Sequence, residues 1–585
     1  MSNQNTKTIM KAIKYTLLSL AALVFSACNL QEEPDSFVDH ETFYENVLQC
    51  RAAVNSCYNS MKPIFTANYM MAVEGCTDLW YCTSSTVDAI LDVSPAKPQM
   101  GKNVWQYGYQ GVMRCNECID CILASKVEDE KKMPLVAEAV VLRAFYYYIL
   151  TSFFGDVPYY TERVKDIATL EKVRRLPRMS AAETRQALYD DINEHMQYLP
   201  QQRTCEDKEA RAGAALGYML MAKFAMWNQQ WDEALTPLLK LEELYGDLQQ
   251  YPLHEIMWRY KNVPEGIFEL QLNYAPDGVQ YYGNVACIMM PPHQGKGVFN
   301  GVFLSEYGDT MTAWASLRAN NYLGIFRPAY ATEAKYVKKE LQSGYEQAGL
   351  YNPLPLTYDD NAVDENKDDI PDNVFKVSGT QFRYYVQLDK EAAKTGKFAD
   401  GTPVDKRIQY KLGLGDVDSE STLGKDYTFS LVRDFGVPWP GPQFWCPGII
   451  STYDGNNYRL FRYADAILML AECYCEKGDD TESLRYLNMV KERAGIPAYE
   501  NFSSFEELTI EIRNERGREL AGEFMRKYDL VRWGIWYEQT FTYSNYTKLK
   551  DNMKPCHRYY PIPDTQCGLS GGALTNDEYT VNGIQ

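Results

Sequence analysis

The stretch that most constrains the fold runs from Glu138 to Glu162. Its first half is apolar nearly all round, with Leu142, Phe145, Ile149 and Phe153 recurring at helical spacing. A helix of that kind has no face left for water and must pack between neighbours on several sides. Gly155 stops it, and Pro158 holds the exit extended, because its ring fixes φ and biases Val157 toward the β region. Nothing in the stretch is a nucleophile or a metal cage, so a packed helix followed by a stiff turn is its plain reading.

A helix buried on all sides needs a large body around it, and 585 residues with 45% hydrophobic and 13% aromatic content supply one. The expected product is one large body or two intimate domains. The formal charge of −19 argues against nucleic acid as a partner, since there is no basic excess to release counterions. Neutral or cationic ligands fit better. Tyrosine is the compositional outlier: 45 Tyr and 10 Trp are a large supply of flat side chains that stack on a ligand and bond its rim.

The N-terminus reads as an export signal over residues 1–27. Lys7, Lys11 and Lys14 form a positive region, Tyr15 to Phe25 an apolar run, and Ser26-Ala27-Cys28 a small-residue cleavage site. The apolar run falls short of the ~20 residues a permanent span needs. Cysteine as the first mature residue resembles the lipobox of bacterial lipoproteins, so Cys28 is the expected lipidation site. Acyl chains there would hold an otherwise soluble body to a membrane, each buried methylene contributing ~0.8 kcal/mol. Loss of the three signal lysines takes the charge from −19 to −22. Residues 28–36 then form a short acidic tether.

Residues 37–250 are expected to be a first helical part. A helix over 36–62 ends before Pro63, and a loop rich in Gly, Ser and Thr follows from Thr66 to Gly101. That loop carries Asp78, Trp80, Tyr81, Asp88 and Asp92; aromatics beside carboxylates in a loop suit a sugar or peptide site, with core packing the competing reading of Trp80. A helix from Asn103 to Glu128 forms an antiparallel hairpin with the opening stretch. Ser180 with Glu183 three residues on makes a capping box. Ala210–Asn228 and Trp231–Tyr245 form a further pair whose small residues resemble tetratricopeptide (TPR) helix pairs, without a regular repeat of about 34 residues.

Fifteen cysteines include Cys28, and an exported context permits disulfides whose pairing the sequence does not give. Cys115, Cys118 and Cys121 mimic part of an iron–sulfur run but lack its fourth ligand and proline. They read better as small apolar residues on a buried helix face.

From 251 to 455 the helical periodicity fades. Ile267–Tyr274 and Phe382–Leu388 alternate as strands do, between Pro/Gly loops that carry Tyr281, Tyr282, Trp314, Tyr322 and Phe326. Within this region Asp364, Asn366, Asp368 and Asp372 place oxygens at alternate positions, as a loop around a hard cation does. The segment resembles a thrombospondin type 3 calcium repeat or the start of an EF-hand loop, although Asp369 stands where an EF-hand expects glycine and Phe375 where it expects glutamate. A solvated acidic loop is the alternative; calcium apart, no cofactor is required.

Helices return over 456–585. Leu460–Glu476 reads as amphipathic, Leu484, Leu487 and Val490 continue on a partner helix to Ala494, and Phe505–Ala521 carries Glu511, Arg513, Glu515, Arg516, Arg518 and Glu519. A catalytic carboxylate pair there would sit among arginines that keep both ionised, which favours a structural role.

Two distant segments resemble one family. Glu138-Ala139, Leu142 to Tyr147 and Phe154-Gly155-Asp156-Val157-Pro158 are similar to the helix-and-turn signature of the SusD/RagB family of Bacteroidota outer-membrane lipoproteins. Arg462 to Asp465, Leu468 to Glu472, Leu487-Asn488, Arg493-Ala494-Gly495, Glu515-Arg516, Glu519-Leu520, Asp529 to Gly534 and Tyr560 to Pro563 follow in family order. The resemblance implies a mainly α, SusD-like body of TPR-like helix pairs with a large irregular, loop-rich region carrying short strands. It implies a lipid-anchored outer-membrane protein facing the cell exterior, which captures glycans, or in some members peptides, for a TonB-dependent (SusC-like) transporter. Family ligand residues lie in variable loops, here about Asp78–Trp105 and Tyr281–Phe326. The candidates are therefore Asp78, Trp80, Tyr81, Trp105, Tyr282 and Trp314.

A surface hydrolase is the competing class. His40, His195, His254, His293 and His557 form no His-Glu-x-x-His. Gly568-Leu-Ser570-Gly-Gly572 satisfies Gly-x-Ser-x-Gly, yet it precedes no long apolar helix and no histidine follows it. A retaining glycosidase needs two carboxyl groups about 5 Å apart, a distance that a sequence does not contain. A pure helical scaffold, the third class, would not need the aromatic loop region.

Overall fold

In the computed structural model the described residues are 43–273, 281–289 and 452–584 without 545, with short pieces at 316–320, 322, 325–326, 334–337, 375–378, 383–386, 395–398, 400–407, 411, 442–444 and 446. Among them the chain is mainly helical. Helix α1 (Val47–Cys57) leads to α2 (Ala67–Val73), then to the hairpin of α3 (Met100–Ala124) and α4 (Asp129–Phe154). Helices α5 (Ala181–His195), α6 (Ala214–Trp227) and α7 (Trp231–Tyr245) follow. The C-terminal part adds α8 (Tyr463–Glu476), α9 (Asp480–Arg493), α10 (Phe505–Leu520), α11 (Arg526–Arg532) and α12 (Trp536–Tyr543). Hairpins pack side by side, α3 on α4, α6 on α7 and α8 on α9, and α7 also packs on α8, joining the two helical parts.

Helix α4 is buried at every position from Leu135 to Phe154. By length and hydropathy it could cross a membrane; here its whole circumference is taken up by protein, as the sequence requires. The α3 hairpin partner comes so close that a Cβ on Gly111 would lie 2.4 Å from the Tyr146 ring. Gly155 ends α4 with φ of 73°, in the region glycine tolerates. Its two buried charges are engaged: Glu138 accepts from Arg51 and Tyr58, and Arg143 donates to Asn116 and Asp191. Ser180 caps α5 by accepting from the Glu183 amide at 3.2 Å.

One core cluster extends from Cys50 to Leu574. Strand β1 (Trp80–Cys82) pairs antiparallel with β3 (Leu317–Ala319), and β2 (Gly266–Leu270) with β7 (Tyr458–Arg462). Strands β4 (Ala334–Val337), β5 (Phe375–Ser378) and β6 (Arg383–Val386) form a sheet in the order β4-β6-β5. The expected helix from Leu460 starts only at Tyr463, since Tyr458–Arg462 is the strand paired with β2. Every residue of that strand is buried, so it lacks the alternation that would have marked it.

A buried ion network holds the C-terminal helices to the middle of the chain. Arg462 reaches Glu265 at 2.9 Å, Glu519 at 2.5 Å and Glu523 at 2.8 Å. Arg493 bridges Glu265 and Glu519, and Arg407 bridges Glu515 and Glu519. Burial alone would raise the Glu515 carboxyl, but the charges of Arg407, Arg518 and Lys491 overcome it and hold it at about 2. Glu515 and Glu519 of α10 are thus held ionised and engaged by arginines, which suits a structural role. A carboxylate depressed from 4.5 to about 2 contributes stability that is complete above its unfolded value and lost as pH falls toward 2. At 1.36 kcal/mol per unit this is about 3 kcal/mol from Glu515. Melting temperature should fall steeply between pH 4.5 and 2, and a flat profile there would refute the ionised network.

The three clustered cysteines Cys115, Cys118 and Cys121 are buried on α3, with the Cys118 sulfur 3.6 Å from that of Cys57. Among the described residues the cysteines are free, and no group of three or more side chains could hold a metal ion.

Candidate functional site

The loop after α2 was the leading sequence candidate, and the structure corrects most of it. Asp78 is fully buried and forms a bidentate pair with Arg526 of α11, at 2.9 and 2.7 Å, while also accepting from Gln539. It clamps the loop to the C-terminal helices and offers no carboxylate to a ligand. Trp80 is 1% exposed, one of the largest fully buried side chains, so its ring has no free face. Tyr81 is 3% exposed, its ring 5.8 Å from that of Tyr546. Trp105 faces inward from α3 against Tyr109 and Phe154, at 4.9 and 5.2 Å. Strand pairing explains the loop's burial: β1 is covered along its edge by β3, in the register Trp80↔Ala319 to Cys82↔Leu317.

Tyr282 stays partly exposed. Its ring lies 4.2 Å from that of Tyr453, which is 39% exposed, and the Lys62 ammonium sits 4.8 Å from the Tyr282 ring centroid and 5.0 Å from that of Tyr281. Backbone bridges Asn273↔Tyr281 and Gly283↔Asp454 fix the two segments. Asp454 anchors this corner by accepting from the Ala286 amide and the Tyr458 hydroxyl at 3.1 and 3.2 Å. Burial raises its carboxyl to about 6. Trp314, the calcium candidates Asp364, Asn366, Asp368 and Asp372, and the lipidation candidate Cys28 lie outside the described residues.

A set of rings that sequence reasoning missed surrounds α12. Phe541 is 43% exposed and lies 5.9 Å from Tyr537, stacked one turn away on the same helix. Tyr543 meets Tyr322 at 4.6 Å, and Tyr546 covers Tyr81 while its hydroxyl donates to the Ser84 carbonyl at 3.2 Å. Tyr322 donates in turn to Asn514 of α10. Three ring pairs therefore gather in and just after α12: Tyr537 with Phe541, Tyr543 with Tyr322, and Tyr546 over the buried Tyr81. The available signal was the density of Tyr and Phe over 537–546, which carries no family motif.

Antiparallel helical hairpins around a main core, with the two helical parts joined by the buried pairs Asp78–Arg526 and Lys223–Asp465, define a TPR-like helical scaffold that carries exposed aromatic side chains. The model of the SusD family matches residues 448–579, and that described as starch-binding, associating with the outer membrane, matches residues 29–225. The chain belongs to the SusD/RagB family. It is similar to SusD-like protein P25 from Formosa agariphila, 25% identical over 96% of this chain and 98% of that one. Among solved structures it resembles a SusD homolog from Bacteroides thetaiotaomicron, with TM-score 0.61 and 15% identity over 91% of this chain and 97% of that one. It also resembles surface glycan-binding protein A from the same organism, solved in complex with laminarihexaose, with TM-score 0.57 and 19% identity over 91% and 99% of the two chains.

Proposed function

We propose that this protein is a non-catalytic cell-surface glycan receptor, anchored through lipid on Cys28 in the outer membrane and facing outward, that hands oligosaccharides to a TonB-dependent, SusC-like transporter. The observation that carries the reading is the group of partly exposed rings in and beside α12: Tyr322 with Tyr543, Tyr537 with Phe541, and Tyr546. Flat apolar faces beside phenolic hydroxyls match a sugar, whose rings offer C–H faces and hydroxyl edges. The shared fold with a protein solved around a glucan hexamer supports the same ligand class. The Glu515 and Glu519 carboxylates, ionised among arginines, are unsuited to donate a proton.

The test is affinity electrophoresis of residues 29–585 through gels cast with individual polysaccharides, with short peptides as competitors. Retardation by a polysaccharide that is left uncut is expected, whereas release of reducing ends would overturn the binding-only reading. The double substitution Tyr537→Ala, Phe541→Ala should weaken retention at least about tenfold, as for removal of paired interface hot spots. Melting should fall only slightly, because Phe541 is exposed and Tyr537, which packs on the edge of a small satellite cluster, is only partly buried. Full retention by the double variant would place the ligand elsewhere.

A further inference from the structure

A second feature stands apart from the α12 rings. Between the end of α1 and strand β2 lies a cavity of about 270 Å³, and Tyr281 forms one of its walls. The floor is apolar, made by the buried Met61, Leu270 and Ala210. The rim is polar: Asn55 and Asn59 from the end of α1 and the turn after it, Gln271 at the end of β2, and Glu209 from the segment before α6, while the charged Arg211 and Glu269 beside them are ion-paired with Asp207 and Arg459.

Local structure explains why these groups face one opening. Asn55 and Asn59 are four residues apart, one turn along the α1 helix and the 3-10 turn that continues it, so both amides project the same way. Both are exposed, and neither side-chain amide has a hydrogen-bond partner among the described residues. Gln271 is fixed, exchanging amide bonds with Asn262 at 2.8 and 3.1 Å and accepting from Asn457 at 3.0 Å. Ala210 has φ of 48° and Asn262, beside Gln271, φ of 52°. Non-glycine residues in that region concentrate at ligand-binding and catalytic positions, where surrounding structure holds them. Of the two, Ala210 lines the cavity, while Asn262 stands behind Gln271 as its hydrogen-bond partner.

We propose that this cavity is a separate carbohydrate subsite that takes a single neutral pyranose ring, the end or a side branch of a glycan chain. The inference rests on the glycan reading above and adds a second site to it. Its volume lies just under the range of pockets that enclose drug-sized ligands, so one ring fits and a longer segment does not. The ring's C–H face lies on Tyr281 above Met61 and Leu270. Its vicinal hydroxyls meet the two free amides, each of which offers a donor and an acceptor. The Lys62 ammonium lies 5.0 Å from the Tyr281 ring centroid, and the backbone bridge to Asn273 fixes that wall. A chain end in the cavity and a chain body on exposed rings would let the protein choose among glycans by their termini.

Crystals of residues 29–585 soaked separately with methyl glucoside, methyl galactoside, methyl mannoside and methyl xyloside test the proposal directly. The described core begins at Phe43, so this chain retains every contact described. Density for a pyranose stacked on Tyr281, with hydroxyls in hydrogen-bond reach of Asn55 and Asn59, is the expected result. In solution, saturation-transfer NMR with the same glycoside should show Asn59→Ala weakening binding about three- to tenfold, the loss of one hydrogen bond. Asn59 is exposed, so this variant keeps the fold, and Tyr281→Ala should abolish the signal. A cavity filled only by water with all four glycosides overturns the proposal. Sugar on the α12 rings alone overturns it while sparing the glycan reading, and sugar at neither place counts against both.

Discussion

Glu519→Ala is expected to destabilise the protein by about 3–5 kcal/mol, the range for removing one partner of a buried ion pair. Glu519 is fully buried and takes three guanidinium groups at once: Arg462 at 2.5 Å, Arg493 at 2.6 Å and Arg407 at 2.9 Å. Alanine would leave these cations in a dry interior with Glu265, Asp405, Glu515 and Glu523 as the remaining counter-charges. Its own carboxyl is pulled well below the usual range, because the arginines outweigh its burial. Equilibrium denaturation at neutral pH reads the effect. A loss under about 1 kcal/mol, the scale of an exposed pair, would mean that water reaches the network.

Trp80→Ala is expected to cost a similar amount, about 3–5 kcal/mol, the usual price of truncating a buried aromatic to alanine. The side chain is 1% exposed and sits in the main core cluster, on a strand paired with Leu317–Ala319. Glycan retention per folded molecule should be preserved, because no face of the ring reaches solvent. The opposite pattern, unchanged melting with lost retention, would restore Trp80 to the binding surface that its loop position suggested. Paired with the Tyr537 and Phe541 substitutions, this experiment separates rings that build the body from rings that meet the ligand.

The contrast between these tryptophans and tyrosines shows where sequence reading stopped. Trp80, Tyr81 and Asp78 stand in a stretch rich in Gly, Ser and Thr, and local chemistry marks it as an exposed loop. What buries it is a strand more than two hundred residues away and an arginine at 526. Neither partner leaves a mark in the local sequence, because strand pairing and ion pairing are fixed by tertiary proximity. The same holds for Tyr458–Arg462, whose periodicity joined it to the following helix until pairing with Gly266–Leu270 made it a strand. Elements whose stability is local were readable: the Trp231–Tyr245 helix has the expected bounds, and Ser180 caps its helix as its spacing with Glu183 requires.

The sequence by itself determined that a helix around Leu142 to Phe153 must be enclosed on all sides, that Gly155 ends it, and that helical hairpins form the body. Those conclusions follow from side-chain periodicity and backbone restriction, which act over a few residues. Only the tertiary structure decided which aromatics are core and which are surface. It paired Tyr81 with Tyr546 and Tyr322 with Tyr543, and it opened a cavity between Asn59 and Gln271. The physical reason is that exposure belongs to a packed arrangement and not to a residue: a tyrosine is equally suited to a core and to a ligand-binding wall, and its neighbours in space choose between them.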